Sequence, residues 1–369
     1  MIDVLFVADR VKLPNGITMV MKNFIDHNDS TDIHFSLVAL PESQDEVLDY
    51  FRSKGVEVYK MPSLSLTGLR AFIDFFKGFF AEHKFDIVHS HFSQIENIVF
   101  RIAKKSGVKA CVSHSHSSKL SESALRAIRN KLMCWGLINV ADYCAACSEQ
   151  AGIALYGKKF TNSPKRLIIK NGIECQRFQY NDAIRTSIRN EYNISSECVL
   201  IGHIGRFTPV KNHRLMVDIL AELLKKGNFY KMMFVGEGDT RQEIEEYAKQ
   251  KGVYENIIFT GYKLDTHRYL NAFDVFLMPS LHEGLGLAAV EAQTNGLSCV
   301  LSSTIPTDVD LTGVSFVKLE EPVNVWAEKV ARMSGIHNQN YNQKVKDAGY
   351  DINDVCHNLF DFYKRIIQD

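Results

Sequence analysis

Two cationic side chains, Arg206 and Lys211, lie on one short loop that follows an apolar run and precedes a helical pattern. A guanidinium presents a planar fork of N–H donors, an ammonium is a mobile point charge, and the first turn of a helix adds free backbone N–H groups. These groups together could bind a diphosphate, although two solvated loop cations would show the same pattern. The loop has no Gly-Lys followed by Ser or Thr, which argues against a P-loop nucleoside triphosphatase.

A second candidate is the segment 279–292, in which Glu283, Gly284, Gly286 and Glu291 surround the start of a predicted helix. The glycines leave backbone N–H groups open to an anion. The two carboxylates would be about 12 Å apart along the axis if the whole segment were helical. That spacing is too long for one acid–base pair. It suits two groups that accept hydrogen bonds from different hydroxyls of one extended ligand.

The same two acids also have a purely structural interpretation. Glu283 could be stabilised by the helix dipole, and Glu291 could be an ordinary helix residue. However, Glu291 is flanked by Ala288–Val290 and Ala292, a stretch that we expect to be buried. Because an unpartnered buried carboxyl is costly, this context favours a binding role for Glu291.

Two more strand-like runs end in glycine turns, at Gly236 and at Gly261. Glycine is typical of a tight turn between a strand and a helix, because it adopts backbone conformations closed to other residues. Alternatively, main-chain groups near Gly261 and Tyr262 could contact the edge of a nucleobase. Both interpretations fit the sequence.

Two His-Ser-His sequences follow strand-like runs in the first half of the chain, His89 to His91 and His114 to His116. They are either partly buried, hydrogen-bonded histidines or members of an active site. Four imidazoles could also hold a metal ion. No acidic or cysteine ligand accompanies them, so the sequence predicts no metal site.

These candidate binding residues can form one site only if the strands that precede them end near one another. Short apolar runs alternate with helical patterns over 2–170 and again over 199–317. Strands that are apolar almost throughout are buried on both faces, as in parallel sheets covered by helices. The sequence therefore predicts an α/β fold with two facing, doubly wound, Rossmann-like parallel-sheet domains. Ligands bind beyond the carboxyl ends of such strands, so we expect the site in a cleft between the domains.

The predicted domain boundaries follow from the polar stretch that separates the two series of strands. The first domain is expected at 1–178 and the second at 179–351. The amphipathic pattern at 352–369 predicts a closing helix that packs back on the first domain.

Two predicted helices carry apolar patterns that allow more than one interpretation. Leu69–His83 contains five phenylalanines, which suit either the core or an apolar ligand-binding surface. In Lys119–Trp135, which overlaps the helix predicted over Ser121–Asn139, apolar and basic positions alternate, so this segment either turns its apolar side to the core or lies on an anionic membrane surface. The apolar positions are Phe72, Phe75, Phe76, Phe79 and Phe80 in the first segment, and Leu120, Leu125, Ile128, Leu132 and Trp135 in the second.

The composition is that of a soluble globular protein. Of the 369 residues, 46% are hydrophobic and 23% are charged, which excludes intrinsic disorder for most of the chain. The 43 basic and 43 acidic residues cancel, so no overall charge attracts nucleic acid. Eight scattered cysteines favour reduced thiols, and no secretory signal or membrane-spanning run is evident. A cytoplasmic protein is therefore expected.

These segments resemble the retaining glycosyltransferases of family 4, which have the GT-B fold. The strongest likeness is the spacing of Glu283 and Glu291, which resembles the E-x7-E signature of that family. The resemblance covers essentially the whole chain and is greatest to enzymes of capsule, exopolysaccharide and O-antigen assembly. Further matching segments, in the order of the family, are Asn171–Glu174 with Phe178, Gly205–Asn212, Val235–Asp239 and Phe259–Gly261.

The resemblance implies a site for a nucleotide-sugar donor. Arg206 and Lys211 would bind the donor diphosphate and neutralise it as it leaves. Glu283 would hold hydroxyls of the donor sugar, and Glu291 would hold those of the ribose. Family members need no catalytic metal, so no metal or other cofactor is expected. Further donor contacts would come from Gly16, Gly236, Gly261 and Tyr262, and from the main chain at Gly284, Leu285, Gly286 and Leu287.

The resemblance also implies roles for residues in the first domain. His114 would be the active-site histidine of the family, near the donor sugar, and His116 is the competing assignment. His116 and Lys119 would contact the acceptor, with Lys119 holding an acidic group.

The implied reaction moves a hexose-type sugar from a nucleotide-diphosphate-sugar, with UDP as the expected nucleotide, to a hydroxyl of a lipid-linked glycan. The anomeric configuration would be retained, and the product would enter surface polysaccharide biosynthesis. The expected partners are the donor, a glycan or glycolipid acceptor and the cytoplasmic face of the inner membrane, with no nucleic acid. The alternatives are a catalytically silent module that binds a sugar nucleotide or a partner, or a GT-B phosphorylase or epimerase.

Overall fold

The computed structural model describes residues 1–13, 15–63, 68–117, 124–227, 229–335 and 337–368. The chain divides into two units. Unit 1 comprises Met1–Gly172 and Ile352–Asp369, and unit 2 comprises Ile173–Asp351. Each unit is built on one parallel sheet covered by helices, which confirms the predicted α/β fold with two parallel-sheet domains.

The strands described in unit 1 are β1 (Ile2–Val7), β2 (Ile33–Ala39), β3 (Glu57–Lys60), β4 (Ile87–Ser90), β5 (Ala110–Ser115), β6 (Tyr143–Ala146) and β7 (Arg166–Ile168). They form a parallel sheet in the order β3-β2-β1-β4-β5-β6-β7. The central strands are buried at successive positions because helices cover both faces, which explains their continuous apolar sequences.

The helices of unit 1 that precede unit 2 are α1 (Gly16–Asp26), α2 (Asp45–Ser53), α3 (Leu69–Glu82), α4 (Ser93–Lys105), α5 (Ala124–Met133), α6 (Leu137–Val140) and α7 (Glu149–Tyr156). One hydrophobic core joins one face of the sheet to α1 and α2, and a second core joins the other face to α3, α4 and α7. Of the five phenylalanines of α3, Phe72, Phe76, Phe79 and Phe80 are buried in the second core, and Phe75 is partly buried against it. The core interpretation of this helix is therefore correct.

The helix expected over Ser121–Asn139 is interrupted. The described residues form α5 and α6, separated at Gly136, whose φ of 73° lies in the left-handed region that glycine tolerates. Residues 121–123 lie outside the described residues. No helix among the described residues combines the length and the apolar character that crossing a membrane requires.

The expectation that the apolar side of α5 faces the core is wrong. Its inner face is formed by the buried residues Asn130 and Cys134, while Leu125, Ile128, Leu132 and Trp135 on the outer side are 81%, 60%, 70% and 82% exposed. The side-chain amide of Asn97 on α4 donates to the carbonyl oxygen of Met133, which fastens the end of α5. The helix thus packs by its small and polar residues and leaves its large apolar ones to solvent.

The strands described in unit 2 are β8 (Val199–Ile204), β9 (Tyr230–Val235), β10 (Ile257–Phe259), β11 (Val275–Met278), β12 (Cys299–Ser302) and β13 (Ser315–Val317). They are parallel, in the order β10-β9-β8-β11-β12-β13. The helices of this unit are α8 (Asp182–Glu191), α9 (His213–Leu224), α10 (Arg241–Gln250), α11 (Thr266–Ala272), α12 (Leu287–Thr294), α13 (Val323–Met333) and α14 (Asn340–Asp347). Two hydrophobic cores again cover the two faces of the sheet.

The final helix, α15 (Ile352–Gln368), belongs to unit 1, where its apolar stripe completes the core that contains α1 and α2. The chain enters unit 2 at Ile173, six residues before the boundary expected from the sequence, because Ile173, Cys175 and Phe178 pack in the core of unit 2. Ile173 forms a parallel bridge with Asp351, so the chain enters and leaves unit 2 at adjacent backbone positions.

Glu96 on α4 is a buried carboxyl in unit 1. Its side chain is fully buried, and the hydroxyl of Ser113 on β5 donates to its Oε2. Its Oε1 has no partner among the described residues. Burial raises the pKa of Glu96 to about 8, so the folded protein holds this side chain as the neutral acid at neutral pH.

Unit 1 should lose stability as the pH rises from the ordinary pKa of glutamate, 4.5, to the folded value of about 8. In this interval the folded state keeps a proton that the unfolded chain releases, so a higher pH favours unfolding. Glu96→Gln keeps the shape and removes the titration. The free energy of unfolding of the variant, minus that of the unaltered protein, should therefore rise with pH by roughly 1.4 kcal/mol per pH unit at most. Urea unfolding followed by circular dichroism at several pH values tests this, and a pH-independent difference would contradict it.

Candidate functional site

The loops that follow β8 and β11 are fastened to each other, since these strands are neighbours in the sheet of unit 2. The N–H of Leu281 donates to the carbonyl oxygen of Val210 at 2.8 Å. The side-chain amide of Asn212 donates to the carbonyl oxygen of Pro279 at 3.2 Å. Asn212 itself has a φ of 56°, which turns the chain from a short 3₁₀ turn at Pro209–Lys211 into α9. These bonds unite two of the segments that the sequence singled out.

Lys211 and Glu283 form an ion pair across the two loops. The Lys211 Nζ lies 2.6 Å from Oε1 of Glu283, and the two side chains are 20% and 13% exposed. Such burial limits screening by water and strengthens the attraction relative to a surface pair. An anion that binds Lys211 must therefore compete with Glu283, and a carboxylate released in this way can accept hydrogen bonds from hydroxyls.

Arg206 has a different environment from Lys211. Its guanidinium lies 3.3 Å from Oδ2 of Asp239, and the two side chains are 61% and 85% exposed. An exposed pair of this kind contributes at most about 1 kcal/mol, so it holds the guanidinium weakly. Arg206 can therefore turn to an incoming anion at little cost.

The turns after β8, β9 and β10 interlock through their backbones. The N–H of Gly236 donates to the carbonyl oxygen of Gly261 at 3.0 Å, and the N–H of Phe207 donates to that of Glu237 at 2.9 Å. A Cβ on Gly236 would lie 2.0 Å from the carbonyl oxygen of Gly205, so a side chain cannot fit there. The close approach of the two backbones explains why residue 236 is a glycine, and it fixes the position of the Arg206 loop.

Gly261 and Tyr262 follow β10, the outermost strand of the unit 2 sheet, at the carboxyl end of that strand. Gly261 has a φ of 77°, which glycine adopts without strain. Tyr262 follows it with 44% of its surface exposed, and partial burial raises the pKa of its hydroxyl. An exposed aromatic ring at this position is compatible with a nucleobase, which is the alternative that the sequence left open.

The helix after Glu283 begins later than a continuous pattern would predict. Gly286 precedes α12 with a φ of 88°, and α12 starts at Leu287. The segment is therefore not helical throughout, so the spacing of about 12 Å that a continuous helix would give does not apply. Glu283 precedes the helix and Glu291 lies within it. Leu285 is buried in the core of unit 2 and anchors the turn, so Gly284 and Glu283 belong to the loop. The first turn of α12 supplies N–H donors beside them.

Glu291 lies within α12 among the buried residues Ala289, Val290 and Ala292, as the sequence predicted. Burial raises the pKa of Glu291 to about 7, an effect that the positive charge of Arg177 opposes. At neutral pH this carboxyl is therefore close to half ionised. A ligand whose hydroxyls donate to it will favour the ionised form.

The four histidines of the two His-Ser-His sequences lie together at the carboxyl ends of β4 and β5. His89 Nε2 lies 3.1 Å from His114 Nδ1, and His91 Nδ1 lies 2.7 Å from His116 Nε2. The other nitrogen of His89 contacts the hydroxyl of Tyr363 on α15. The two His-Ser-His sequences identify these histidines as candidates, but nothing in the sequence predicts their contact with Tyr363, which is 274 residues from His89 in the chain.

The histidine cluster is neutral at physiological pH. Burial lowers the pKa of His89 and His116 to about 3 and that of His91 and His114 well below the ordinary value. His114 is almost fully buried, whereas His116 is partly exposed. Each keeps one ring nitrogen without a partner among the described residues. Lys119, the other residue expected in this region, lies outside the described residues.

Gly16 is the first residue of α1 in unit 1, and the side chain of Asn15 caps that helix by accepting from the N–H of Ile17 at 2.9 Å. A cavity of about 240 Å³ adjoins it, with Arg10 and Lys12 among its lining residues. The sequence analysis did not single out these two cations. Their position between the end of a strand and the start of a helix is the signal that could have found them.

A buried histidine in unit 2 was also missed. The Nδ1–H of His203 on β8 donates to the carbonyl oxygen of Leu277 on β11 at 2.9 Å. A Cβ on Gly205 would lie 2.8 Å from the Nε2 of His203. His203 thus supports the turn that carries Arg206, and a lone histidine inside an apolar strand is the sequence signal for it.

Known proteins resemble this chain in sequence. Residues 184–313 match the family described as "Glycosyl transferases group 1". EpsF of Bacillus subtilis (strain 168), which is named as a glycosyltransferase, is 30% identical over 334 residues, or 89% of this chain and 87% of EpsF. The Escherichia coli UDP-Gal:α-D-GlcNAc-diphosphoundecaprenol α-1,3-galactosyltransferase is 26% identical over 235 residues, or 60% of this chain and 59% of that enzyme.

The fold also has solved counterparts. The structure of HepE from Anabaena in complex with UDP matches with a TM-score of 0.80 and 14% identity, covering 99% of this chain and 100% of that one. At this identity the likeness concerns the fold, which is the GT-B fold expected from the sequence. The family segment contains both fastened loops, and the similarity to EpsF extends over most of both chains, so this protein belongs to the group 1 glycosyltransferases.

Proposed function

We propose that the protein is a retaining, metal-independent hexosyltransferase that uses a UDP-sugar and acts on a lipid-linked glycan in surface polysaccharide biosynthesis. The observation that carries the proposal is the Lys211–Glu283 pair on two fastened loops at the carboxyl edge of the unit 2 sheet. The choice of UDP and of a lipid-linked acceptor is supported by two similar proteins. HepE was solved with UDP, and the Escherichia coli relative is named for UDP-Gal and a diphosphoundecaprenol-linked sugar.

In this proposal the donor diphosphate replaces Glu283 as the partner of Lys211. Arg206 leaves its exposed contact with Asp239, and the first turn of α12 adds backbone N–H donors. The released Glu283 then accepts hydrogen bonds from hydroxyls of the donor sugar. One exchange of partners thus prepares both the phosphate and the sugar contacts.

Transfer breaks the bond between the anomeric carbon and the diphosphate and leaves negative charge on the diphosphate. Lys211, the repositioned Arg206 and the α12 N–H groups stabilise that charge, which is the electrostatic role that a metal ion has in other enzymes. A departing phosphate oxygen takes the proton of the acceptor hydroxyl, which attacks from the same face, so the configuration is retained.

The remaining roles in the proposal follow from the family resemblance. His114 or His116 serves as the active-site histidine, Lys119 holds an acidic group of the acceptor, and Gly16 contacts the donor. Gly236, Gly261 and Tyr262 contribute to the nucleotide end of the site.

Glu283→Gln should separate donor binding from sugar transfer. Removal of the competing carboxylate leaves Lys211 without its charged partner, so the affinity for UDP should rise about three- to tenfold. The sugar contacts are weakened, so kcat/KM for transfer should fall about 100-fold or more. Isothermal titration with UDP and an assay of UDP release from UDP-glucose and UDP-galactose measure the two effects.

A matched control for this experiment is Lys225→Gln, which removes an exposed ion pair with Glu222 on α9. It should change neither quantity. Weaker UDP binding by Glu283→Gln, or full transfer activity in that variant, would refute the exchange of partners.

Donor affinity should depend on pH through Glu291. Ribose hydroxyls favour the ionised carboxyl, whose pKa in the free protein is about 7, so affinity should rise with pH. The Kd for a UDP-sugar should fall up to about tenfold between about pH 6 and pH 8, in proportion to the ionised fraction. Titrations of UDP-glucose across this range test the effect. Glu291→Gln should bind with no such pH dependence, and an unchanged dependence in the variant would exclude Glu291 as its source.

The proposal includes contact with the cytoplasmic face of the inner membrane through α5. Leu125, Ile128 and Leu132 of α5 and Trp135 of the turn after it form one exposed apolar stripe, and the exposed cations Arg129 and Lys131 lie on the same helix. Apolar side chains flanked by basic ones suit the interface of an anionic bilayer, where a lipid-linked acceptor is found.

Ile128→Gln combined with Leu132→Gln should abolish most of the binding to vesicles that contain phosphatidylglycerol, because two of the four stripe residues become polar. Co-sedimentation with these vesicles measures the loss. Phe229→Gln, which alters an exposed apolar residue of unit 2, is the control and should bind like the unaltered protein. Equal binding of the double variant would contradict the role of the stripe.

A further inference from the structure

The register of β4 and β5 places four histidines on one face of the sheet. His89 is paired with Val112 and Ser90 with Ser113, so His91 and His114 are the next lateral neighbours. Residues two apart on a strand point to the same side. The two His-Ser-His sequences therefore form a two-by-two array, with ring centroids of adjacent members 4.1–5.2 Å apart.

We infer that His89, His91 and His114 form a binding site for a transition-metal ion of the zinc class. One ring nitrogen from each of the three lies within 4.8 Å of the others. Two nitrogen ligands of a tetrahedral zinc ion are about 3.4 Å apart, and His89 Nε2 and His114 Nδ1 are already 3.1 Å apart. Small ring rotations bring the three nitrogens to bonding distance, and a fourth position stays open for water.

The hydrogen bonds around two of the three ligands, His89 and His91, support this assignment. Histidines that bind a metal with one ring nitrogen usually donate a hydrogen bond from the other, which fixes the ring. His89 has its Nδ1 against the hydroxyl of Tyr363, and His91 has its Nδ1 against Nε2 of His116. The Nε2 of His91 is buried and has no hydrogen-bond partner among the described residues, so it is available as a ligand atom.

The chemistry of the site favours zinc, cobalt or nickel over magnesium or calcium. Neutral imidazoles are good ligands for the former, whereas the latter prefer oxygen. Three histidines without an acidic ligand are a sufficient set, as in the zinc site of carbonic anhydrase. The prediction of no metal site rested on the lack of an acidic or cysteine residue beside the histidines in the sequence. A zinc site does not require such a ligand.

The ion would act as an inhibitor of transfer, and this consequence rests on the proposed function. His114 is the proposed active-site histidine, so an ion that occupies its Nδ1 removes it from the reaction. The site thus links sugar transfer to the supply of a transition metal, while transfer itself needs none.

Direct metal binding tests the site without reference to activity. Full-length protein without a histidine tag is titrated with zinc chloride by calorimetry and with cobalt chloride by visible absorption. One ion per chain should bind, with the d–d bands of a four-coordinate cobalt site and no thiolate charge-transfer band. His91→Gln should weaken binding about 100-fold, and Tyr363→Phe, which removes only a supporting hydroxyl, about tenfold or more.

The control is His357→Gln, which alters an exposed histidine on α15 and should bind metal like the unaltered protein. Circular dichroism establishes that each variant is folded. The inference would be overturned if the protein bound no metal, or if folded His91→Gln and Tyr363→Phe bound it as tightly as the unaltered protein. A thiolate band, which reveals cysteine ligands, would also overturn it. Inhibition of UDP release by zinc, reversed by a chelator, tests the regulatory consequence separately, so a failure of the transferase assay leaves the binding result intact.

Discussion

The ion pair between Lys211 and Glu283 is the interaction on which the candidate site depends. It joins the loops after two neighbouring strands, and the hydrogen bonds at Leu281 and Asn212 hold those loops in the position that makes the pair possible. Two opposite charges that neutralise each other can be kept partly buried, whereas either alone would carry a desolvation cost. Lys211 and Glu283 can thus both remain charged and partly buried in the folded protein without a large cost in stability.

Much of the fold could be predicted because its signals are local. Val199–Ile204 and the other strands lie within the two ranges of apolar runs, 2–170 and 199–317, because a doubly covered parallel sheet needs no polar face. The interruption at Gly136 and the late start of α12 depend on single residues in left-handed conformations. Such residues are compatible with several local structures, so a helical pattern alone does not reveal them.

The contacts within the site were less accessible from sequence, because they depend on which strands become neighbours. The loops around Lys211 and Glu283 are more than seventy residues apart, and only the strand order brings them together. The apolar residues of α5 show the same limit. Their spacing marks one face of a helix, but whether that face meets a core depends on the neighbouring helix, and here α4 packs against the opposite side.

The position of α15 in the chain has a consequence for biosynthesis. This helix completes a core of unit 1 and contributes Tyr363 to the histidine cluster, yet the ribosome makes it only after all of unit 2. In a nascent chain, unit 2 can therefore fold while unit 1 still lacks α15, the helix that completes one of its two hydrophobic cores. The histidines gain their final environment late, because a polypeptide released before α15 is made lacks both the Tyr363 hydroxyl and the helix that completes this core.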